Sequence, residues 1–290
     1  MNIEFITDAY TSDGLKLPMV HFESKEKDIC VIFIHGMCGT IIDNYFATVW
    51  GKLLSEKNIG FIYEHNRGHS IENDIVMQDG SFKRCGCMYE IFEDCIYDID
   101  LAIQTAKQKG YKRIILLGHS YGCNKAIYYY YKKHPNILGI ILASAPDMIG
   151  SHLALQAGDY KELLKEAKEN IDNGKPTKLL HKMIEDYMYM SSQTYYNWYN
   201  ETSELNNLPV ISNPEHWKQF ETIDAPILTF SGSREEDYYL HLDLLEEKAI
   251  NCNNFEYKII ENANHTYKTK ELEIGILIID WINKNFKEEI

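Results

Sequence analysis

The chain has 290 residues, enough for one large α/β domain that carries an insertion. Hydrophobic residues make up 45% and charged residues 25%, the balance of an ordinary soluble globular protein. The formal net charge of -14 argues against nucleic acid or an anionic membrane as partner, because a polyanion would be repelled.

Ile3 to Thr7 alternates apolar and polar residues, and Pro18 to Phe22 follows the turn-like Thr11-Ser-Asp-Gly14, which predicts an N-terminal β-hairpin. Ile29 to Ile34 is a continuous apolar run, as in a strand buried on both faces of a parallel sheet, and it ends in His35-Gly36-Met37. Tyr45 to Lys57 has helical spacing. Ile59 to Tyr63 predicts the next strand, which runs into the polar turn Glu64 to Ser70. Ile71 to Cys87 reads as an irregular loop, and Met88 to Lys109 as one long amphipathic helix closed by Gly110.

Ile114 to Leu117, after Arg113, is again apolar and leads into Gly118-His-Ser-Tyr-Gly122, after which a helix is expected from Tyr121 to about His134, stopped by Pro135. Ile137 to Leu142 predicts another buried strand, ending in Ala143-Ser-Ala-Pro-Asp147. From Met148 to about Phe220 the alternation of strand and helix lapses. The segment is charged, then rich in Tyr, Trp, Met and Asn, with helical spacing at Lys161–Asn170 and Leu179–Met190. Some 70 residues exceed a plain loop, so an inserted cap is expected. Alternation returns with a strand at Pro226–Phe230, a helix at Tyr238–Ile250, a strand at Phe255–Ile260 and a final apolar helix around Leu272–Ile282. The expected organisation is a core from 1–147 and 221–290, interrupted by a cap at 148–220. Its sheet is mainly parallel, with helices on both faces.

Gly-x-Ser-x-Gly between a strand and a helix places the serine on a sharp, strained turn, where its hydroxyl stands clear of the sheet. Gly118 and Gly122 remove side chains that would collide across that turn. A serine hydroxyl also needs a base, a group that orients the base, and donors for an oxyanion. Ser120 is the candidate nucleophile. His265, in the loop between the last strand and the last helix, is the candidate base. The turn after Phe230 supplies Glu235, Glu236 and Asp237 as candidate acids. Glu235 stands three residues after Gly232, whereas Asp237 could instead cap the helix that follows. Asp147 is a further alternative, from the preceding strand. The backbone N–H groups of Met37 and Tyr121 are the candidate oxyanion donors. His119 is expected to pack and hydrogen-bond beside the nucleophile.

With these residues in place, the chain resembles the α/β-hydrolase superfamily, in its serine-nucleophile, esterase- and lipase-like branch. The motifs His35-Gly36-Met37, Arg67-Gly-His-Ser70, Gly118-His-Ser-Tyr-Gly122, Gly232-Ser-Arg-Glu235 and Asn264-His265 stand in that family's order. The resemblance covers nearly the whole chain outside the cap. It implies a mostly parallel eight-stranded sheet, a triad of Ser120, His265 and Glu235, an oxyanion hole from Met37 and Tyr121, no cofactor, and ester or other acyl substrates. Two features depart from the family: the acid is usually Asp, and the turn at Arg67 is shortened. The middle of the chain is also similar to a poorly characterised hydrolase group that includes fungal siderophore esterases.

The implied activity is a carboxylesterase working through an acyl-enzyme. An acyltransferase on the same triad and a non-catalytic ligand receptor on the same fold are the alternatives. The cap's Tyr187, Tyr189, Tyr195, Tyr196, Trp198, Tyr199 and Trp217, with Met188 and Met190, suit an apolar or aromatic acyl group, although most such rings pack a cap onto its core. The Arg67 turn is expected to brace the floor of the site. The seven cysteines are an odd, scattered number; with no signal-like N-terminus and no bilayer-length apolar run, they point to free thiols in the cytoplasm. Cys85-Gly-Cys87 lacks a second Cys/His pair at zinc-like spacing, so no metal is expected.

Overall fold

In a computed structural model that describes residues 2–156, 158–212 and 216–287, ten strands form two sheets. β1 (Asn2–Ile6) and β2 (Met19–Glu23) make the expected antiparallel hairpin, with Asn2 opposite Glu23. β3 (Ile29–Ile34) is buried at all six positions. It is followed by α1 (Tyr45–Glu56) and β4 (Gly60–Glu64). β5 (Asn73–Val76) and β6 (Phe82–Cys85) form a separate hairpin where an irregular loop was expected. Its turn is Met77 to Ser81, closed by the Met77 N–H donating to the Ser81 carbonyl at 2.8 Å. The strands are short and mostly exposed, so no apolar alternation announces them.

α2 spans only Cys95–Gln108, not the whole of Met88–Lys109. Two 3-10 turns, Cys87–Tyr89 and Phe92–Asp94, take up its expected first turns. There the Met88 carbonyl accepts from the Ser191 N–H, and the Phe92 N–H donates to Asn197 Oδ1, both at 2.9 Å. Long-range partners therefore replace the i→i−4 bonds of a helix. β7 (Arg113–His119), α3 (Tyr121–Lys133) and β8 (Gly139–Ala143) follow as expected.

Between β8 and β9 lie α4 (Met148–Gln156), α5 (Tyr160–Asp172), α6 (Ser192–Tyr199) and α7 (Lys218–Glu221). Leu179–Met190 is not a helix. Glu185 and Asp186 take left-handed φ values of 54° and 53°, and the Leu180 N–H donates to the Met190 carbonyl at 3.0 Å. Leu180, Ile184 and Met188 are all buried four residues apart, which imitates a helical stripe. β9 (Ile227–Gly232), α8 (Leu242–Lys248), β10 (Phe255–Ile260) and α9 (Glu271–Phe286) complete the chain. α8 begins four residues later than expected, after a 3-10 turn at Asp237–Tyr239.

The large sheet has eight strands in the order β1-β2-β4-β3-β7-β8-β9-β10. β2 pairs antiparallel with β1 and β4, and all other neighbours are parallel. Along β3, Cys30, Ile32 and Ile34 enter the core under α2 and α3, while Val31 and Phe33 enter the core under α1 and α9. Burial on both faces explains the continuous apolar run. From β3 the chain steps to β4 on one side and reaches β7 on the other. The crevice beyond the carboxyl ends of β3 and β7 is therefore the topological switch point, where open parallel sheets take up ligands.

Candidate active site

Ser120 follows β7 directly, with φ 54° and ψ −130°. Its N–H donates to the Ala143 carbonyl at 2.9 Å, which ties the turn to the end of β8. The flanking glycines are required by contact. A Cβ on Gly118 would stand 2.5 Å from the Gly122 carbonyl oxygen, and one on Gly122 would stand 2.1 Å from that of Ile34. The strained turn is over-determined by its surroundings, as a stored strain must be.

The loop after β3 runs close above this turn. A Cβ on Gly36 would lie 3.0 Å from Ser120 Cβ and 3.4 Å from its Oγ. The next residue, Met37, lines the same cleft. Its amide makes no backbone hydrogen bond among the described residues. Tyr121 opens α3, so its amide is one of the unpaired donors of a helix N-terminus. Its ring is fully buried against Trp198, with centroids 4.5 Å apart.

His265 lies in the loop between β10 and α9 and also lines the cleft. Its Nδ1 is 2.8 Å from Glu235 Oε2. The Glu235 side chain is wholly buried, whereas that of His265 is 35% exposed, so the acid is enclosed and the imidazole reaches solvent. Glu235 Oε1 accepts from Ser144 Oγ at 2.7 Å and from the Gly232 N–H at 2.5 Å. Ser144 Oγ also contacts the Tyr267 hydroxyl. A carboxylate held by several donors cannot turn away from the imidazole. The Nδ1–H it accepts leaves Nε2 unprotonated and available as a base.

The other candidate acids are elsewhere. Asp237 is 89% exposed and faces His241 at 3.3 Å. Glu236 is exposed. Asp147 is buried, accepting from the Gly150, Ile211 and Ser212 N–H groups, and so anchors α4 and the chain beyond α6. His119 packs as expected: its Nε2–H donates to the His265 carbonyl at 2.9 Å, and its ring lies against Phe46 and His265. Burial, with the His265 ring beside it, holds His119 well below the ordinary imidazole range, so it is neutral.

Arg67, expected to brace the floor, does not line the cleft. It is buried and pairs with Asp98 at 2.7 Å, Asp94 at 2.9 Å and Asp13 at 3.0 Å. Of the expected cap rings, only Tyr187 lines the cleft. Tyr195, Trp198, Tyr199 and Trp217 are buried in packing, as are Met188 and Met190, while Tyr189 is exposed. Site residues not singled out by the sequence include Ser144, Tyr267 and Tyr239. The first two fix the acid. Tyr239 lines the cleft and packs against His265, with ring centroids 4.9 Å apart and planes tilted by 40°. Each reaches the site through a contact between separate strands or turns, which leaves no spacing to read. Among the described residues no group of three or more His, Cys, Asp or Glu side chains is arranged to hold a metal ion.

The model of a family described as a protein of unknown function, DUF1749, matches residues 93–274, well over half of the chain. The chain belongs to this family. No curated protein matches it. Among solved structures, Est1E from Butyrivibrio proteoclasticus is 14% identical, with a TM-score of 0.65 over 99% of this chain and 100% of its own. The α/β hydrolase GrgF from Penicillium sp. sh18 is 15% identical, with a TM-score of 0.69 over 99% and 100%. A soluble variant of monoglyceride lipase from Saccharomyces cerevisiae is 14% identical, with a TM-score of 0.66 over 98% and 96%. This member of the DUF1749 family therefore has the α/β-hydrolase fold along its length.

Proposed function

We propose that the chain is a serine hydrolase that cleaves a carboxylic ester, or a related acyl bond, of a small molecule through an acyl-enzyme. The observation that carries this reading is the convergence on one cleft of Ser120, on a strained turn, and His265, backed by the buried Glu235. Ser120 Oγ attacks the acyl carbon while His265 Nε2 takes its proton. The Met37 and Tyr121 amides hold the oxyanion, and the leaving alcohol departs with the proton from His265. Water then attacks the acyl-enzyme, His265 takes a proton from it, and Ser120 leaves protonated. Glu235 stabilises the imidazolium in both halves.

Hydrolysis is favoured over transfer to an alcohol because the imidazole is open to solvent. The cleft holds about 310 Å³ and is faced by Met37 and the rings of Tyr187 and Tyr239, which suits a small apolar or aromatic acyl group. One neighbour, Est1E, has been solved with ferulic acid bound, an acid of the aromatic kind. The cap reading of 148–220 accords with Tyr187 reaching the cleft from that segment. A cytoplasmic setting accords with seven free cysteines, all but Cys252 buried. No described helix is long and apolar enough to cross a membrane.

A panel of p-nitrophenyl and aryl esters of varied chain length, with a fluorophosphonate probe, tests the reading. Wild type should turn over at least one short or aromatic ester and take one probe per chain. Ser120→Ala should lose both. Unchanged labelling of Ser120→Ala would sink the assignment, and tight binding of a ligand without turnover of any activated ester would favour a receptor.

A further inference from the structure

Asn44 lines the cleft but has no part in the triad or the oxyanion hole. It stands at the N-cap of α1, where an Asn side chain ordinarily turns back onto the free N–H groups of its helix. Here it makes no such bond. The backbone is tied on both sides, the Asn44 N–H donating to the Thr40 carbonyl at 2.9 Å and its carbonyl accepting from the Ala47 N–H at 2.8 Å. The side chain goes instead to Tyr63 of β4, whose hydroxyl donates to Oδ1 at 2.8 Å. Tyr63 is fully buried, and its phenol has no other acceptor among the described residues. Turning the amide over would strand that proton, so the oxygen is fixed on Tyr63 and the nitrogen is fixed away from it. Gly39 makes the room, since a Cβ there would stand 2.8 Å from Oδ1. Asn44 is only 8% exposed, and Nδ2 has no hydrogen-bond partner among the described residues, yet it is not sealed from solvent as the orphaned atoms of the interior are. The cleft thus holds an oriented donor with nothing to donate to. Capping α1 or accepting from Tyr63 would be served as well by Asp; what Asn adds is the N–H pair.

We propose that Asn44 Nδ2 binds an uncharged oxygen of the substrate, a keto, ether or second ester oxygen set a few atoms from the scissile carbonyl. The proposal rests on the serine-hydrolase reading of the same cleft and narrows its substrate to esters that carry such an acceptor. None of the described residues lining the cleft is Lys or Arg, so a carboxylate or phosphate would be buried there without a counter-charge. An uncharged oxygen loses less on leaving water and supplies the partner that the amide lacks. An analogue without it leaves Nδ2 unpaired beneath the bound substrate, and that unpaired group is the source of discrimination. Met37, Tyr187 and Tyr239 still offer apolar faces to the rest of the molecule. Asn44 is then a specificity-determining residue, and Tyr63 is the positioning residue that aims it.

Matched esters test this on both sides of the scissile bond. In the acyl group, p-nitrophenyl 4-oxohexanoate and 5-oxohexanoate are each compared with hexanoate; in the alcohol, 2-methoxyethyl hexanoate is compared with butyl hexanoate. Each kcat/KM is divided by the ester's rate of alkaline hydrolysis, which removes intrinsic reactivity. Wild type should prefer the oxygen-bearing ester in at least one pair. Asn44→Asp keeps the acceptor for Tyr63 and removes the donor, and it should lower that preference about 3- to 12-fold, the scale of one hydrogen bond between uncharged groups. Any effect of the new charge on the triad falls on both members of a pair and cancels in the ratio. Fluorophosphonate labelling at Ser120 shows that a variant keeps its fold. If Asn44→Asp is not labelled, Tyr63→Phe decides, because it leaves Asn44 in place but frees the amide to turn; an unchanged preference there overturns the proposal. So does an unchanged preference in a labelled Asn44→Asp, or an equal loss on both members of every pair, which would place the amide on the ester group itself. If wild type is neither labelled nor active on any ester, the serine-hydrolase reading fails and this proposal with it. If wild type is labelled at Ser120 and shows no preference in any pair, only this proposal fails.

Discussion

Ser144 Oγ, the Gly232 N–H and His265 Nδ1 all converge on Glu235, so this carboxylate is committed in a way that Asp237, 89% exposed, is not. Replacing Glu235 by Gln keeps the shape but removes the charge that stabilises an imidazolium, and lets the amide favour the wrong tautomer. On the proposed mechanism kcat should fall on the order of 10³–10⁴-fold. Asp237→Asn should leave kcat within about 2-fold, since exposed side chains outside the site rarely couple strongly. Steady-state kinetics of the two variants on one ester separates the candidates; equal losses would refute the role given to Glu235. This residue shows what could and could not be read from the chain alone. The elbow was legible because its glycines answer collisions within a few residues, as at Gly122 against the Ile34 carbonyl. Glu235 was legible only as one of three acids, because the fold of the turn decides which carboxylate points inward. Ser144, Tyr239 and Tyr267 were not legible, because each meets its partner across the ends of different strands or turns.

The strands and helices of the main sheet were readable because each has one periodicity and one burial environment. The errors fall where packing, not propensity, chooses the backbone. Leu180, Ile184 and Met188 keep helical spacing while the chain between them folds back through left-handed Glu185 and Asp186. The first turn expected for α2 is likewise dissolved by bonds from Ser191 and to Asn197. α3 holds a feature that periodicity also misses: Lys125, on its buried side, pairs with Glu90 at 2.5 Å, donates to Asn66 at 3.1 Å, and lies 4.4 Å from the centre of the Tyr121 ring. Burial opposes the charge on each partner, and each favours the charge on the other. The pair links α3 to the turn before α2 directly behind the candidate oxyanion donor. Lys125→Met should destabilise the protein by about 3–5 kcal/mol, because it strands a buried carboxylate. Lys125→Met with Glu90→Leu should recover most of that loss, since apolar replacement of a whole buried pair is often neutral. Urea midpoints of the three proteins test this, and a double variant no more stable than Lys125→Met would refute it.

Over the whole molecule, five of the eleven histidines share one electrostatic property: burial lowers His21, His35, His65, His69 and His119 below the ordinary imidazole range, His69 to about 4. In the unfolded chain these rings take up protons near pH 6.5. In the fold they stay neutral to lower pH, and each has a hydrogen-bond partner, such as the Asn66 N–H at 3.2 Å on His35 Nε2. Below about pH 6.5 the unfolded state therefore binds more protons than the native state, and stability falls as pH falls. Above that pH both states carry neutral rings and the contribution is complete. His181, raised by Glu166, acts in the opposite sense, as do the carboxyls of Glu64 and Glu90, which burial raises, but these three groups are outnumbered by the five rings. The net charge of -14 also opposes the trend, because acid relieves self-repulsion in the native state. The other carboxylates take up most of their protons nearer pH 4, however, so between pH 6.5 and 5 the histidines dominate. The urea midpoint should be flat from pH 7 to 8 and fall steeply from 6.5 to 5. Unfolding at pH 5.5 should take up more than two protons, read from the slope of stability against pH. An uptake below one proton would show that these rings are already charged in the native protein. The interior would then have to solvate imidazolium groups that, among the described residues, have no paired carboxylate at His35, His65, His69 or His119.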